Sequence, residues 1–260
     1  MAVEELRKEM SYEEFKAYPR KLGWKYEYFA DALHLSPSWT AVAKFRLSLD
    51  NLHVHRQQAE SKRCVSVSIR AVAHADLDAL RSLFCECFND AIDYAGSDVA
   101  ELTHYAHKSL DSFFGPTPPD TVDACRVAIE ANQIVGCCMI DRCKHGPILQ
   151  PIFVAPSHQR RGLATRLLYD TLQCLASRSE KELHSRCNLG NDASMAWHLR
   201  CGFIEMPSQW AAGHRANIYR QEAERHELLG LPTAAAMREL ADHWADERER
   251  LEDKGTIEEP

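Results

Sequence analysis

Two periods of hydrophobic and polar residues alternate along this chain, and each change of period marks an element. Trp24, Tyr26 and Tyr28 alternate with Lys25 and Glu27. After a turn at Ala30-Asp31, Leu33 and Leu35 continue the alternation to Pro37. This is strand patterning, and a further strand is expected over residues 40–49. Ser11 has N-cap character ahead of the acidic first turn Glu13-Glu14. Residues 64–70 alternate again. Leu77, Leu80, Leu83, Phe84, Cys87 and Phe88 then recur at helical spacing within residues 74–89, and residues 98–110 read as a second helix. Gly115-Pro116-Thr117-Pro118-Pro119 is a rigid break. Strands are expected over residues 124–130, 133–143 and 148–154, with Asn132-Gln133 as the first turn. A helix carries Leu163, Leu167, Leu168, Leu172 and Leu175 on one side. A short strand over residues 183–187, a capped helix ending at Gly202, and strands over 203–206 and 216–219 complete the series. After the break Gly230-Leu231-Pro232, Thr233 fits an N-cap, and Met237, Leu240, Ala241 and Trp244 form an apolar stripe. That stripe is expected to pack on its own domain, with a dimer contact as the alternative.

This order implies a mixed α/β sheet. It divides the chain into an N-terminal hairpin or meander (1–60), a central domain (64–222), and an acidic C-terminal helix and tail (223–260). The meander can extend the main sheet, cover one face or pair with another subunit. Residues 50–63 read as a linker, and residues 253–260 as disordered.

At 260 residues, 45% of them hydrophobic, the composition is that of a soluble globular protein. No apolar run approaches the ~20 residues that cross a bilayer. The first ten residues carry charges where a signal peptide needs an apolar core, so a cytoplasmic protein is expected. The ten cysteines include no Cys-x-x-Cys, and most lie inside apolar patterns, which favours buried reduced thiols. Cys138, Cys143 and His145 lack the fourth ligand of a structural zinc site, so no metal is expected. The net charge is −7; from Gln221 onward there are twelve acidic residues against five basic, so the rest is near neutral. Neither part carries the basic stripe of a nucleic-acid binder. An acidic surface favours a cationic substrate, or simply solubilises the tail.

The candidate chemistry lies in Gln159-Arg160-Arg161-Gly162-Leu163-Ala164, between the apolar segment Ile152-Phe153-Val154-Ala155-Pro156 and a helix. Glycine lets the backbone approach a ligand closely. The first helical turn has unpartnered amides and partial positive charge. Such a loop is a site for a diphosphate, although many loops of this composition bind nothing. Some thirty residues on comes the capped helix Asn191-Asp192-Ala193-Ser194-Met195-Ala196-Trp197-His198-Leu199-Arg200-Cys201-Gly202-Phe203.

In this order and spacing the two segments resemble the acyl-CoA-binding core of the GNAT superfamily of N-acetyltransferases. Gln159, Gly162 and Ala164 match its Gln/Arg-x-x-Gly-x-Gly/Ala motif. Asn191, Gly202 and Phe203 match Asn-x-x-Ala-x-x-Leu-Tyr-x-x-x-Gly-Phe. The resemblance covers about residues 64–206. It implies a GNAT-type mixed, mostly antiparallel twisted sheet with flanking helices, joined here to the small N-terminal β-rich extension and the C-terminal helix. It implies acetyl-CoA as co-substrate and an amine acceptor; from charge and hydropathy neither nucleic acid nor membrane is expected as partner, and a homodimer is left open. Amides from Arg160 through Arg161, Gly162, Leu163 and Ala164 to Thr165 would hold the pyrophosphate. The pantetheine arm would pair with backbone at Phe153 and Val154. Asn191 would bond to that arm, cap its helix, or do both.

The sequence departs from the family at two catalytic positions. The tyrosine acid, seven residues after Asn191, is His198; it is named here as the acid, with a packed histidine as the alternative. The glutamate base in the strand before the loop is Gln150, whose neutral amide can position a water but cannot take a proton. The base is then Glu130, Asp141 or His145, or bulk water. Asp90, Asp93, Tyr94 and Asp98 fall where the family borders its acceptor, although Asp90 and Asp98 read more simply as solvated or helix-end residues. Residues 90–120 and 209–214 are expected to govern acceptor choice. The leading function is N-acetyl transfer to a small-molecule or peptide amine. A catalytically silent acyl-CoA-binding module is the alternative. A toxin-like enzyme acylating aminoacyl-tRNA is opposed by the charge balance.

Overall fold

The computed structural model describes residues 6–51 and 66–253. Most of the expected linker and the tail beyond Asp253 lie outside the described residues. Near the N-terminus, strand β1 (Arg7–Glu9) precedes helix α1 (Tyr12–Ala17), which Ser11 and Glu14 close in a reciprocal capping box. Strands β2 (Trp24–Phe29) and β3 (Ala32–Pro37) form a hairpin. Its turn residues Ala30 and Asp31 have φ of 50° and 51°, the left-handed pair a tight two-residue hairpin requires. With β1 added, the order of this small sheet is β1-β3-β2.

The central sheet contains β4 (Val42–Ser48), β5 (Ser68–Ala71), β6 (Arg126–Glu130), β7 (Gln133–Cys143), β8 (Gly146–Val154), β9 (Glu182–Asn188) and β10 (Ile204–Met206). Their order is β10-β4-β9-β8-β7-β6-β5. All neighbours are antiparallel except β8 and β9. Of the three placements open to the N-terminal segment, β4 takes the first: it lies inside the main sheet between β10 and β9. Ala43, Phe45 and Leu47 alternate into the core along it, the period-2 pattern of a strand with one face turned inward. The turn between β6 and β7 is Ala131-Asn132, with φ of 48° and 62°, one residue earlier than expected.

Helices α2 (Leu77–Phe88) and α3 (Val99–Leu110) precede the β6–β8 meander, and α4 (Leu163–Ser177) links the parallel pair β8 and β9. Phe84 and Phe88 of α2 pack on Phe153. Cys137 lies opposite Phe153 across the ladder, so its neighbour Cys138, which meets Thr171 of α4, faces the other way. The sheet therefore carries α2 on one face and α4 on the other. Leu80, Phe84, Leu110, Ile140, Leu167, Leu168 and Leu172 are fully buried between these layers.

Helix α5 (Asp192–Arg200) follows β9, and α6 (Gln209–Leu228) follows β10. The strand expected over residues 216–219 is thus absent; those residues are mid-helix. A short run of mixed apolar residues does not reveal its own period, and here Ala212, Ala216, Ile218 and Ala223 are buried along one helix. Helix α7 (Ala234–Asp253) packs against α6. Of its expected stripe, Ala241 is buried and Trp244 stacks on the Arg215 guanidinium of α6, but Leu240 is exposed. The expected boundary at residues 222 and 223 falls within α6. The nine described cysteines are free thiols.

Candidate active site

Strands β8 and β9 are paired only at Ile148 with His184 and Leu149 with Ser185. Beyond these two rungs they part. On the other edge of β8, the register with β7 slips between Cys138 and Ile140, and the extra residue lies at Gln150-Pro151. Such a bulge bends its strand and ends pairing, and Pro151 has no N–H to contribute to a ladder. The β8 edge from Pro151 to Val154 therefore faces an opening that β9 has left. Phe153 and Val154 lie along it, with Gln159 Nε2 donating to the Val154 carbonyl at 3.1 Å.

The loop after β8 passes through the turn Pro156–His158 to Gly162, where φ is +80°. That left-handed conformation favours glycine and turns the chain directly into α4. The first α4 amide to donate to a backbone carbonyl in this turn is that of Arg166, to Gly162 at 3.1 Å. The amides of Leu163, Ala164 and Thr165 are the unpartnered donors of a helix start. Arg160 and Arg161 are exposed beside them. Amides, helix dipole and arginines fit a diphosphate. Glu130 braces this loop from behind: it accepts from His158 Nε2 at 2.6 Å and from Ser66, and those bonds, Ser66 first, lower its carboxyl pKa.

Asn191 caps α5, its Oδ1 accepting from the Ser194 amide at 3.0 Å. The side-chain amide nitrogen is not used in that cap. Two turns on, His198 is only 2% exposed. Its Nδ1 lies 2.8 Å from the Ser194 carbonyl and its Nε2 lies 2.7 Å from the Ser185 hydroxyl. A carbonyl only accepts, so Nδ1 carries the proton and Nε2 accepts from Ser185. The ring stacks on Phe45, and burial lowers its pKa. Both nitrogens are engaged, so the structure places His198 as a packed, neutral side chain under the strand parting rather than as a group open to a cleft.

On the α2 face a cleft of about 370 Å³ opens beside the bulge. The 3₁₀ turn Ile92–Tyr94 contributes Asp93 and Tyr94, α3 contributes Tyr105, Lys108 and Ser109, and Ser112 and Phe113 follow; Asp141 of β7 and Gln150 of β8 complete the lining. Asp93 opens to the cleft yet is crowded by its walls, and this loss of solvation raises its carboxyl pKa. Burial likewise pushes the Tyr94 phenol up to about 12. Tyr94 packs on Phe84, Phe88 and Tyr105, and Phe84 and Phe88 reach Phe153. One aromatic cluster thus ties the cleft to the β8 edge.

Of the three candidate bases, Asp141 lines the cleft. Glu130 belongs to the loop brace, and His145 is exposed near the β7–β8 turn, its ring beside His184. Of the acceptor-side acids, Asp93 and Tyr94 face the cleft while Asp98 caps α3 in a box with Glu101. Ser185 was not among the expected residues: it sits within an ordinary strand pattern, and its partner lies thirteen positions away. The N-terminal extension also bears on the site. A Cβ on Gly190 would meet the Leu22 carbonyl at 2.5 Å and Ile92 Cδ1 at 2.6 Å, and one on Gly96 would meet Leu6 Cδ1 at 2.6 Å. The extension therefore packs behind the turn that carries Asp93. Among the described residues no three His, Cys, Asp or Glu gather where a metal ion could sit, and no helix is long and apolar enough to cross a membrane.

Residues 77–203 match the sequence model of the Acetyltransferase (GNAT) family. No curated protein matches the chain. Among solved structures, it is similar to a GCN5-related N-acetyltransferase from Sphaerobacter thermophilus, with 15% identity over 64% of this chain and 48% of that one, at a TM-score of 0.45. It thus spans about half the length of that protein. It is similar to the PaiA N-acetyltransferase from Thermoplasma acidophilum in complex with coenzyme A, with 12% identity over 55% and 93% at a TM-score of 0.47. It is also similar to the aminoglycoside N-acetyltransferase AAC(6')-Iy in complex with CoA, with 20% identity over 56% and 93% at a TM-score of 0.41.

Proposed function

Residues 77–203 are a domain of the GNAT acetyltransferase family, and from that premise we propose that the chain is an N-acetyltransferase moving an acetyl group from acetyl-CoA to a primary amine of a small molecule or peptide. The observation that carries this reading is the parting of β8 from β9 after Leu149 and Ser185. On the α4 side it leads to the amide-rich loop at Gly162, and on the α2 side to the cleft at Gln150 and Asp141.

In this reading Gln159, Arg160, Arg161 and the amides of Gly162 to Thr165 hold the diphosphate. The open edge at Phe153 and Val154 takes the pantetheine arm as an added strand, and Asn191 reaches it with its free amide nitrogen. An N–H of that edge polarises the thioester carbonyl. The acceptor amine attacks the thioester carbon from the cleft. Asp141 takes its proton, with Gln150 holding a bridging water. The carbon–sulfur bond then breaks and CoA leaves as the thiolate, which takes a proton from solvent. His198 is a positioning residue that fixes α5, and so Asn191, against the parting.

Calorimetric titration with acetyl-CoA, followed by thiol release with a panel of amines, tests the proposal. Micromolar binding with amine-dependent thiol release is expected, and no binding by the folded protein would overturn it. The burial of His198 favours a second reading, a catalytically silent acyl-CoA-binding module. Binding without thiol release for any amine would select it.

A further inference from the structure

The cleft beside the bulge has an unusual charge arrangement. Several carboxylates of this protein are matched by an arginine: Asp76 by Arg70, Asp111 by Arg81, Glu205 by Arg215. Asp93 and Asp141 are not. Asp93 pairs with no cationic side chain among the described residues. Among the described residues, Asp141 accepts only the neighbouring Arg142 amide at 2.7 Å. The Arg142 guanidinium, next along the chain, is committed elsewhere, to Asp120 at 2.8 Å and Glu180 at 2.7 Å. Two unmatched carboxylates thus line one cleft from different walls, the turn Ile92–Tyr94 and strand β7. Lys108 is the one cation in the lining; it is exposed, and its long stem can leave the cleft.

Two like-charged carboxylates that face one cleft are eased by a ligand that brings positive charge. A single amine would occupy one of them. The attacking amine belongs near Asp141, which lines the cleft together with Gln150, the residue that follows the last β8–β9 rung. Asp93 is then left for a second positive charge on the same molecule, with the Tyr94 and Tyr105 rings beside it as further surface for a cation. The turn presenting Asp93 is held from behind by Leu6, Leu22 and Gly190, so its carboxylate is placed before the substrate arrives.

Resting on the acetyltransferase reading, we infer that the acceptor is a small amine bearing a second cationic group, with Asp93 holding that group while Asp141 serves the amine that reacts. The cleft selects against an acceptor whose far end is neutral or anionic.

Three four-carbon amines that differ only at the far end test this: the terminal diamine, n-butylamine and the ω-amino acid. For the diamine, kcat/KM is expected to exceed the other two by about tenfold or more, the order of one partly desolvated charge pair. Asp93→Asn is expected to erase that advantage, bringing the diamine down to the kcat/KM of n-butylamine through a raised KM. Equal kcat/KM for diamine and n-butylamine, or preference for the amino acid, would overturn the inference; the latter would make Lys108 the selecting group. Calorimetric titration of the three amines into protein saturated with CoA separates the two readings. Asp93-dependent diamine binding with no acetylation of any amine would sink the transferase reading and leave the cation site standing. Acetylation of all three at equal rates would do the reverse.

Discussion

The Ser185 hydroxyl donates to Nε2 of His198 across 2.7 Å, at the last rung where β8 and β9 are still paired. The same ring is held at Nδ1 by the Ser194 carbonyl and lies flat on Phe45. One neutral imidazole therefore joins three elements at the point where the parallel strands separate: β9, α5 and the inserted strand β4.

His198→Phe keeps an aromatic ring on Phe45 but leaves the Ser185 hydroxyl without its acceptor. A loss of about 1–3 kcal/mol of stability is expected, read by urea denaturation. Turnover of the folded variant is expected to fall less than about tenfold, the effect of a slightly displaced helix. A loss of the order of a hundredfold, the size of a lost proton transfer, would instead make His198 the acid.

Acid should weaken the fold through two buried histidines. His214 of α6 accepts the Gly23 amide at 3.0 Å, and burial, helped by Arg215, lowers its pKa to about 4. The shift at His198 has the same direction. Both are neutral when folded and bind a proton more readily when unfolded. Their stabilisation is fully present above the ordinary histidine value of 6.5 and is lost as pH falls below it, for His214 down toward about 4. For His214 this amounts to about 3 kcal/mol at most. Urea midpoints should drop across that range. His214→Gln, which keeps an acceptor for Gly23, should flatten the drop.

Gly162 combines a left-handed backbone with the place where a diphosphate would lie. Gly162→Ala is expected to lower stability by about 1 kcal/mol from the backbone alone. Gly162→Glu adds a negative side chain at the phosphates and is expected to weaken acetyl-CoA binding by more than about tenfold. Calorimetric affinity equal to that of the parent would remove the loop from the binding site.

Gly190 marks the junction of the N-terminal loop, β9 and the turn carrying Asp93. Gly190→Ala must displace Leu22 or Ile92. Overpacking of this kind costs about 1–3 kcal/mol. The displaced turn should also raise the acceptor KM while the acetyl-CoA affinity holds. If acceptor KM and CoA affinity change together, the N-terminal segment supports the fold at large rather than the acceptor side.

Asp141→Asn removes the proposed base while keeping shape. The kcat is expected to fall about a hundredfold, with the loss recovering as pH rises and free amine accumulates. A kcat unchanged at neutral pH would assign proton removal to solvent.

What could be read without a fold was written locally. The β2–β3 turn, the Ser11 and Asn191 caps and the strand–glycine–helix passage each depend on residues within about four positions of one another. The strands and helices from Gly146 to Gly202 therefore came out close to their expected places. Residues 216–219 did not, because a run that short has no period of its own and the surrounding helix decided its state.

By itself the sequence determined the alternation of strand and helix, the glycine that opens α4 and the asparagine that caps α5. These are matters of backbone geometry and residue chemistry, both local. Tertiary structure decided the rest: that β4 enters the central sheet, that β8 and β9 part after two rungs, that His198 is buried against Ser185, and that Asp93 and Asp141 share a cleft although 48 positions separate them. Strand neighbours, burial and loss of solvation come from the packing of the whole chain. A residue's own neighbours in sequence do not encode which distant side chains will remove it from water.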